Sequence, residues 1–487
     1  MSSPKTPGAM ESDPERTPLL KPDSLRQKRQ LSGVSVEPVA LLHSFGWSLS
    51  GVMLTDQIMY QSCEVSMSLG AEVCSKLRND SDAINSSNLE QLVQPYAATV
   101  SMSIVLLTSV IPALMALGFG PWSDRYGRKP IIAFSLVGFL ITDSLIACLS
   151  YLSTFYSISP WCYVLANIPV SVLGGYAVLN LGIFSVMNDI TNEANRTVRM
   201  GILQGFIMCG VVGGLLVSSF LGNFLSVSTM FCISALATIV SLIYLYLGTE
   251  ESVNWKTDSL EGVQCNDFFN LDLLRQMLTT LTQRRPNRER PIMWLLMAIG
   301  ALIEFASSGR VLFFLYTRQE FNLDAQSYSL WLSAELSFIM LGNMFGISFL
   351  KKIFKCSDIG LMAISTVNHI GDFVIKGMST AGWQLYLASA LTPFKGIETA
   401  TIRSIISNIL PSEETAKMYA LDVSIQAVTP IGAVFFFTFL YQKTLKYAPA
   451  TYLYATAGVF GINLVLVGFT HALLKTREQK METTVCS

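Results

Sequence analysis

GPWSDRYGRK, residues 120–129, separates two long apolar runs at about 94–118 and 130–151. Four of its ten residues are charged and two are glycine. A bilayer core of ~30 Å asks for ~20 apolar residues per helix, and both flanking runs meet that. The decapeptide therefore reads as a short charged turn between two membrane helices. Gly120 lets the two helices approach closely, and Gly127 takes a bend that a residue with a Cβ resists. Asp124 is placed to meet a helix N-terminus or a neighbouring cation. Arg125, Arg128 and Lys129 put positive charge at the membrane boundary, which marks the cytoplasmic side. This chemistry suits a cytoplasmic gate.

Composition agrees. Apolar residues make up 51% of the 487 and charged residues only 14%, against roughly 25% charged in an ordinary soluble protein. A net charge of −1 gives no pull toward nucleic acid. Twelve apolar spans can be drawn, at about 39–60, 94–118, 130–151, 159–183, 200–222, 229–248, 291–316, 327–350, 357–378, 380–405, 418–441 and 450–474. The expected fold is an all-α membrane protein of twelve transmembrane helices in two six-helix halves, 39–248 and 291–474. A polar linker, 249–290, joins the halves, and tails flank them at 1–38 and 475–487. Basic residues collect in the N-terminal tail, the linker and the loops at 119–130 and 351–356. The loops near 152–158 and 223–228 carry no charge. Both termini and the linker are therefore expected in the cytoplasm.

The N-terminal tail is polar, without a signal-peptide core. Its ERTPLL, with Glu15, Leu19 and Leu20, matches an acidic dileucine sorting pattern, which a clathrin adaptor reads on the way to endosomes and lysosomes. The first loop, about 61–93, then faces the lumen or the outside. It carries the sequons Asn79-Asp-Ser81 and Asn85-Ser-Ser87, expected sites of glycosylation. Asn195-Arg-Thr197 fits the pattern too, but falls on the cytoplasmic side. Cys63 and Cys74 near this loop are candidates for a disulfide or for free thiols. Cys148, Cys162, Cys209 and Cys232 read as packing residues in or at the ends of spans.

An ionisable side chain inside a span is costly and is a functional candidate by default. The spans hold Asp56, Asp143, Glu304, Arg310, Glu335, Asp372, Lys376, Lys395, Glu398, Arg403, Asp422, His43 and His369. Carboxylates in a transporter core can take up a proton on an acidic side and release it on a neutral one. Glu304, in mid-span, is the first candidate for proton coupling. Glu335, His369 and Asp372 follow, the last two on one face of the ninth helix. Arg310 lies six residues beyond Glu304, on another face of an ideal helix, and meets it only if the Ser307-Ser308-Gly309 run breaks the helix. Lys395 and Glu398, three apart, are placed to satisfy each other. Arg310 and Arg403 are candidates for binding an anionic substrate. Asp56 is a candidate for substrate contact or the outer gate. The second-half counterpart of the 120–129 turn, 342–358 with Lys351, Lys352 and Lys355, is degenerate. No nucleophile–base set, metal-ligand cluster or cofactor motif is visible, so enzymatic chemistry is not expected.

Together these residues resemble the major facilitator superfamily, whose signature loop reads G-x-x-x-D-R-x-G-R-K/R. Within it they resemble solute carrier family 46, the proton-coupled folate transporter and its lysosomal paralogues. The resemblance rests on 120–129, on NDITNEANRTVRMG (188–201), on the sequon-bearing first loop and on TIRSIISNILPSEETAKMYA (401–420). It covers nearly the whole chain from about residue 37. It implies a proton-coupled secondary transporter carrying an organic, anionic solute into the cytosol, such as a muropeptide, a conjugated catabolite or a folate-like compound. Substrate would sit between the halves near the midplane. Asp124 and Arg128 would serve cycling, and Arg403 proton and substrate binding. Two departures argue against folate itself. The family's seventh-helix histidine is absent, Glu304 being the ionisable group there, and the loop at about 317–326 lacks the cysteine that pairs with the first loop. The alternatives are a drug/proton antiporter of the tetracycline-exporter type and a non-transporting membrane sensor. A linker of about 40 residues is small for the latter.

Overall fold

A computed structural model of the chain describes residues 35–70, 73–74, 83–191, 193–222, 224–251, 289–353, 355–410 and 412–485. Glu15, Leu19 and Leu20, the sequon residue Asn79 and linker residues 252–288 lie outside the described residues. The described residues form helices and turns, without a strand. Six helical rods precede the linker. They are α1 (Glu37–Gln61, continued by a π turn Ser62–Ser66), α2 (Ala83–Tyr126), α3 (Lys129–Leu152), α4, α5 (Glu193–Leu221) and α6 (Val227–Gly248). Rod α4 is in three pieces, Trp161–Ala166, Ile168–Val172 and Gly175–Ile190. Six rods follow. Rod α7 runs Glu289–Ser307, then a 3₁₀ stretch Ser308–Leu312, then Phe313–Phe321. Next come α8 (Ala325–Ile353), α9 (Asp358–Met378) and α10, in two pieces, Gly382–Leu391 and Ile397–Ile409. The last are α11 (Ser412–Thr444) and α12 (Thr451–Val485).

Among the described residues, eight rods are long and apolar enough to cross a bilayer by length and composition. Rod α1 carries Asp56 and α9 carries His369, Asp372 and Lys376, while α10 is interrupted at Thr392–Gly396. Non-helical backbone at membrane depth is tolerated where it is buried in protein or lines a cavity. The α10 break is built from Pro393, which donates no backbone hydrogen bond, and from Gly396 at φ +93°. The α7 break falls on Ser307-Ser308-Gly309.

Lipid supplies no hydrophobic drive between helices, so close packing depends on small residues. Gly210 and Gly214 of α5 lie against the carbonyls of Leu41 and Phe45 of α1, and Gly46 of α1 lies against Ser234 of α6. Gly342 and Gly346 of α8 abut Pro393 and Phe394 in the α10 break. The chain threads between two ends. The basic end holds residues 120–129 and the distal end holds residues 62–70 and Cys74. At the distal end one apolar cluster unites the halves, through Met53, Ile58, Val93 and Tyr163 of the first and Leu312, Tyr316, Phe437 and Tyr441 of the second. Val39, Ile131, Leu179 and Leu245 form a separate cluster at the basic end of the first half.

Several expectations change. Residues 120–126 are helical, so the signature loop is only the two-residue turn Gly127-Arg128. Rod α2 starts at Ala83, so Asn85 lies in its first turn rather than in a loop. Cys63 and Cys74 form a disulfide. Cys148, Cys209 and Cys232 are exposed rather than packed, and Cys162 is half-buried.

Candidate transport site

Three polar constellations stand out among the described residues. The first is the turn at the basic end. Gly127 has φ +107°, a left-handed conformation that glycine adopts without strain. A Cβ there would stand 2.7 Å from a carboxylate oxygen of Glu251. That carboxylate accepts the backbone N–H groups of Arg128 (2.8 Å) and Lys129 (3.1 Å), two orphan donors at the start of α3. Arg128 Nε donates to Asp189 of α4 at 3.1 Å and its Nη1 donates to Ser123 Oγ at 2.6 Å. Gly120, Asp124 and Arg125 lie in the last two turns of α2. The second half reuses the plan with other residues. Lys351 at the end of α8 pairs with Asp358 at the start of α9 (2.8 Å), and Ser404 of α10 donates to Asp358 at 2.6 Å.

The second constellation closes the distal end. Arg318 of α7 is ion-paired to Asp56 of α1 and, at 3.1 Å, to Glu90 of α2. All three side chains are buried or nearly so (6%, 13% and 6% exposed). Neutral bonds run beside this latch. Gln94 donates to the Leu315 carbonyl (2.9 Å) and accepts from Tyr441 Oη (2.7 Å). Gln442 donates to the Pro95 carbonyl (2.8 Å) and to Thr99 Oγ1 (3.0 Å). Among the described residues, the hydrogen bonds and ion pairs that join the two halves lie at this end.

The third constellation fills the interior of the second half. Glu335 of α8, Asp372 and Lys376 of α9 and Lys395 in the α10 break form a closed ionic quartet. Lys376 lies 2.8 Å from Glu335 and 2.9 Å from Asp372. Lys395 lies 2.6 Å from Glu335 and 2.8 Å from Asp372. Thr392 Oγ1 donates to Asp372 at 3.2 Å, and Trp331 and Phe313 face the Lys376 ammonium at 4.8 and 5.1 Å. Toward the basic end, His369 stacks flat on Phe460 (centroids 4.3 Å apart) with its Nε2 3.5 Å from Glu398 Oε1. Glu398 also accepts the Gly396 N–H at 3.1 Å. Arg310, exposed on the 3₁₀ stretch of α7, lies within electrostatic reach of Glu304, Tyr328, His369 and Glu398. Glu304 in turn feels Asp422 of α11, and Asp422 feels Arg403 of α10. Asp422 is held against α7 at Gly300, one turn from Glu304, and accepts from Gln426 at 2.9 Å.

The expected break at Ser307-Ser308-Gly309 exists, and it turns Arg310 into the region of Glu304. The expected Lys395–Glu398 pair does not form, because the break carries Lys395 to the two carboxylates of the quartet while Glu398 stays on the second piece of α10. Asp56 belongs to the distal latch. Glu335 and Asp372 each sit between two lysines, and His369 shares its site with Glu398. The sequence reading missed Arg318, Glu90 and Glu251. Arg318 and Glu90 fell just beyond the drawn span edges, and Glu251 was counted as linker. Helical extension past the apolar run was the only signal, weak because ends of spans normally carry charge. An open surface groove of about 590 Å³ between α7 and α12, walled by Trp294, Leu295 and Phe469, holds none of these interior groups.

Comparison with known proteins completes the picture. The family model described as Major Facilitator Superfamily matches residues 38–431. The "Probable peptidoglycan muropeptide transporter SLC46" of Drosophila melanogaster is 27% identical over 439 residues, 89% of this chain and 84% of the fly protein. The human "Lysosomal proton-coupled steroid conjugate and bile acid symporter SLC46A3" is 22% identical, over 87% of this chain and 91% of its own. Among solved structures, the human organic anion transporter MFSD10 (TETRAN) superposes with TM-score 0.60 at 15% identity, covering 89% of this chain and 97% of that one.

Proposed function

The chain belongs to the Major Facilitator Superfamily, and from that premise we propose how it works: as a proton-coupled importer of an organic anion from an acidic lumen to the cytosol. It is a multi-pass membrane transporter rather than an enzyme, with relatives in solute carrier family 46. The observation that carries the reading is the charged interior of the second half, gathered where α7 and α10 are interrupted. Broken helices at membrane depth are where secondary transporters bind substrate and coupling ions. Arg310, exposed beside Glu304 and Glu398, is the anion-binding group, with Arg403 nearer the basic end. Glu304, neighboured by Asp422, is the proton carrier. On the acidic side it loads a proton, which removes a buried charge and permits the halves to rock. On the neutral side it releases the proton with the solute. The Arg318–Asp56–Glu90 latch is the outer gate, and the Gly127-Arg128 turn belongs to the inner one. Fly and human relatives named for muropeptides, steroid conjugates and bile acids support a bulky anionic cargo. The dileucine tail and the human relative's lysosomal description support an endosomal or lysosomal membrane.

The test is uptake by cells carrying Leu19→Ala and Leu20→Ala, which should bring the protein to the surface. Labelled folate, muramyl dipeptide and a steroid sulfate are compared at about pH 5.5 and about pH 7.4, spanning the range in which a lysosomal importer works. Acid-stimulated uptake that disappears in Glu304→Gln is the expected result. Uptake stimulated by a neutral exterior would instead favour antiport, and surface protein with no uptake at either pH would reject the reading for these solutes.

A further inference from the structure

We propose that the quartet Glu335–Lys376–Lys395–Asp372 is an exchange site, in which protonated Glu335 withdraws and a carboxylate or sulfate of the solute takes its place between the two lysines. This rests on the import reading above and adds to it the coupling rule and a second point of anion contact.

The geometry is asymmetric in a way that a purely structural cluster would not require. Asp372 is held by Lys376 one turn along the same helix and by Lys395, with the Thr392 hydroxyl, which also bonds the Ala388 carbonyl at 2.7 Å, 3.2 Å away, and its side chain is 3% exposed. Glu335 comes from a different helix, α8, and its Oε1 alone accepts from both lysines. Its side chain is 11% exposed, against 2–4% for the other three. It is therefore the open corner of the quartet. Lys376 is backed by Trp331 and Phe313, and its backbone carbonyl accepts from Tyr316 Oη at 3.4 Å, so it is held from behind. Lys395 is presented by the α10 break, which Gly342 and Gly346 allow to lie flush on α8.

Charge then dictates the coupling. Two lysines and two carboxylates sum to zero, which lets all four be buried. A proton on Glu335 leaves one uncompensated positive charge in low dielectric, a costly state. A solute monoanion restores neutrality and accepts the two ammonium hydrogen bonds that Glu335 gives up. Loss of the proton to cytosolic water returns Glu335 to the lysines and expels the anion. Each negative charge is thus accompanied by one proton on Glu335; with the proton that Glu304 carries, import of a monoanion moves one net positive charge inward. The other charged or titratable groups facing this site are Arg310 on α7, Tyr328 on α8, His369 on α9 and Glu398 on α10, with Tyr316 at the Lys376 end. Arg310 adds positive potential on the approach side. The other four change none of the quartet's own charge count.

The experiment uses the full-length protein in liposomes, with muramyl dipeptide and estrone sulfate as probes. In Glu304→Gln, which leaves Glu335 as the linked site, probe affinity should still rise by up to roughly tenfold per unit fall in pH, as one linked proton requires. Adding Glu335→Gln to that variant should make binding equal at about pH 5.5 and pH 7.4, within about twofold. The charge-balanced double variant Glu335→Gln/Lys395→Gln should keep the wild-type melting temperature and bind the probe at neither pH. A wild-type measurement stands apart from folding: an inside-negative potassium-diffusion potential should speed uptake of these monoanions. A pH dependence of binding persisting in Glu304→Gln/Glu335→Gln, binding by Glu335→Gln/Lys395→Gln, or monoanion uptake indifferent to the potential would each overturn the exchange site while leaving import intact. Wild-type protein that binds neither probe at either pH would reject the import reading and this proposal together.

Discussion

Replacing Arg318 by glutamine tests the outer gate most directly. The guanidinium pairs with two buried carboxylates, Asp56 and Glu90, brought from two helices of the opposite half. Removing one partner of a buried ionic cluster costs about 3–5 kcal/mol, because the remaining charges are left desolvated. The neutral bonds of Gln94, Tyr441 and Gln442 remain, each contributing about 0.5–1.5 kcal/mol net. The latch is thus comparable in weight to all of them together. In the distal-open state both carboxylates can reach water, so the loss falls on the closed state alone. At 1.4 kcal/mol per tenfold, even about 3 kcal/mol moves the equilibrium by more than 10²-fold toward opening. Leu92 on α2 and Tyr447 after α11 are 54% and 90% exposed at the distal end, one on each half. Spin labels there, attached through non-cysteine chemistry to spare Cys63–Cys74, should show a longer and broader distance distribution in Arg318→Gln by pulsed electron resonance. Arg318→Lys should fall between, since an ammonium cannot fork to two carboxylates as a guanidinium does. Folded Arg318→Gln with an unchanged distribution at neutral pH would refute the latch.

Gly127→Ala should lower transport far more than abundance. A left-handed non-glycine costs about 1–3 kcal/mol, and the new Cβ displaces the Glu251 carboxylate that caps α3. Uptake normalised to surface protein checks this, and wild-type uptake by the variant would remove the turn from the gate. Cys63→Ser should lower the melting temperature by several degrees, in line with about 2–4 kcal/mol for a disulfide, with acid-stimulated uptake retained at lower temperature. An unchanged melting temperature would mean that the bridge contributes nothing to the fold.

Parts of this molecule were legible without coordinates because they are local properties of the chain. The run of charge in GPWSDRYGRK and the glycine at 127 follow from backbone sterics within a few residues. The α7 break follows from a Ser-Ser-Gly run. Other readings failed where local spacing competes with tertiary placement. Lys395 and Glu398 are three apart, yet the Pro393–Gly396 break parts them. Span edges drawn from apolarity cut off Glu90 and Arg318, because helices continue past the hydrocarbon wherever their polar residues find partners in protein.

The sequence by itself determined that this is a polytopic helical membrane protein of one family, with ionisable groups concentrated in its second half. Burial of backbone hydrogen bonds in lipid leaves little choice once apolar runs of that length exist. Only the tertiary structure decided how those charges are partnered. Arg318 meets Asp56 across 262 residues and Glu90 across 228, and Lys395 meets Glu335 across 60. Such pairs depend on which helix faces lie opposite one another. That is set by glycine contacts, helix breaks and the rotation of each rod about its axis, none of which leaves a periodic mark along the chain.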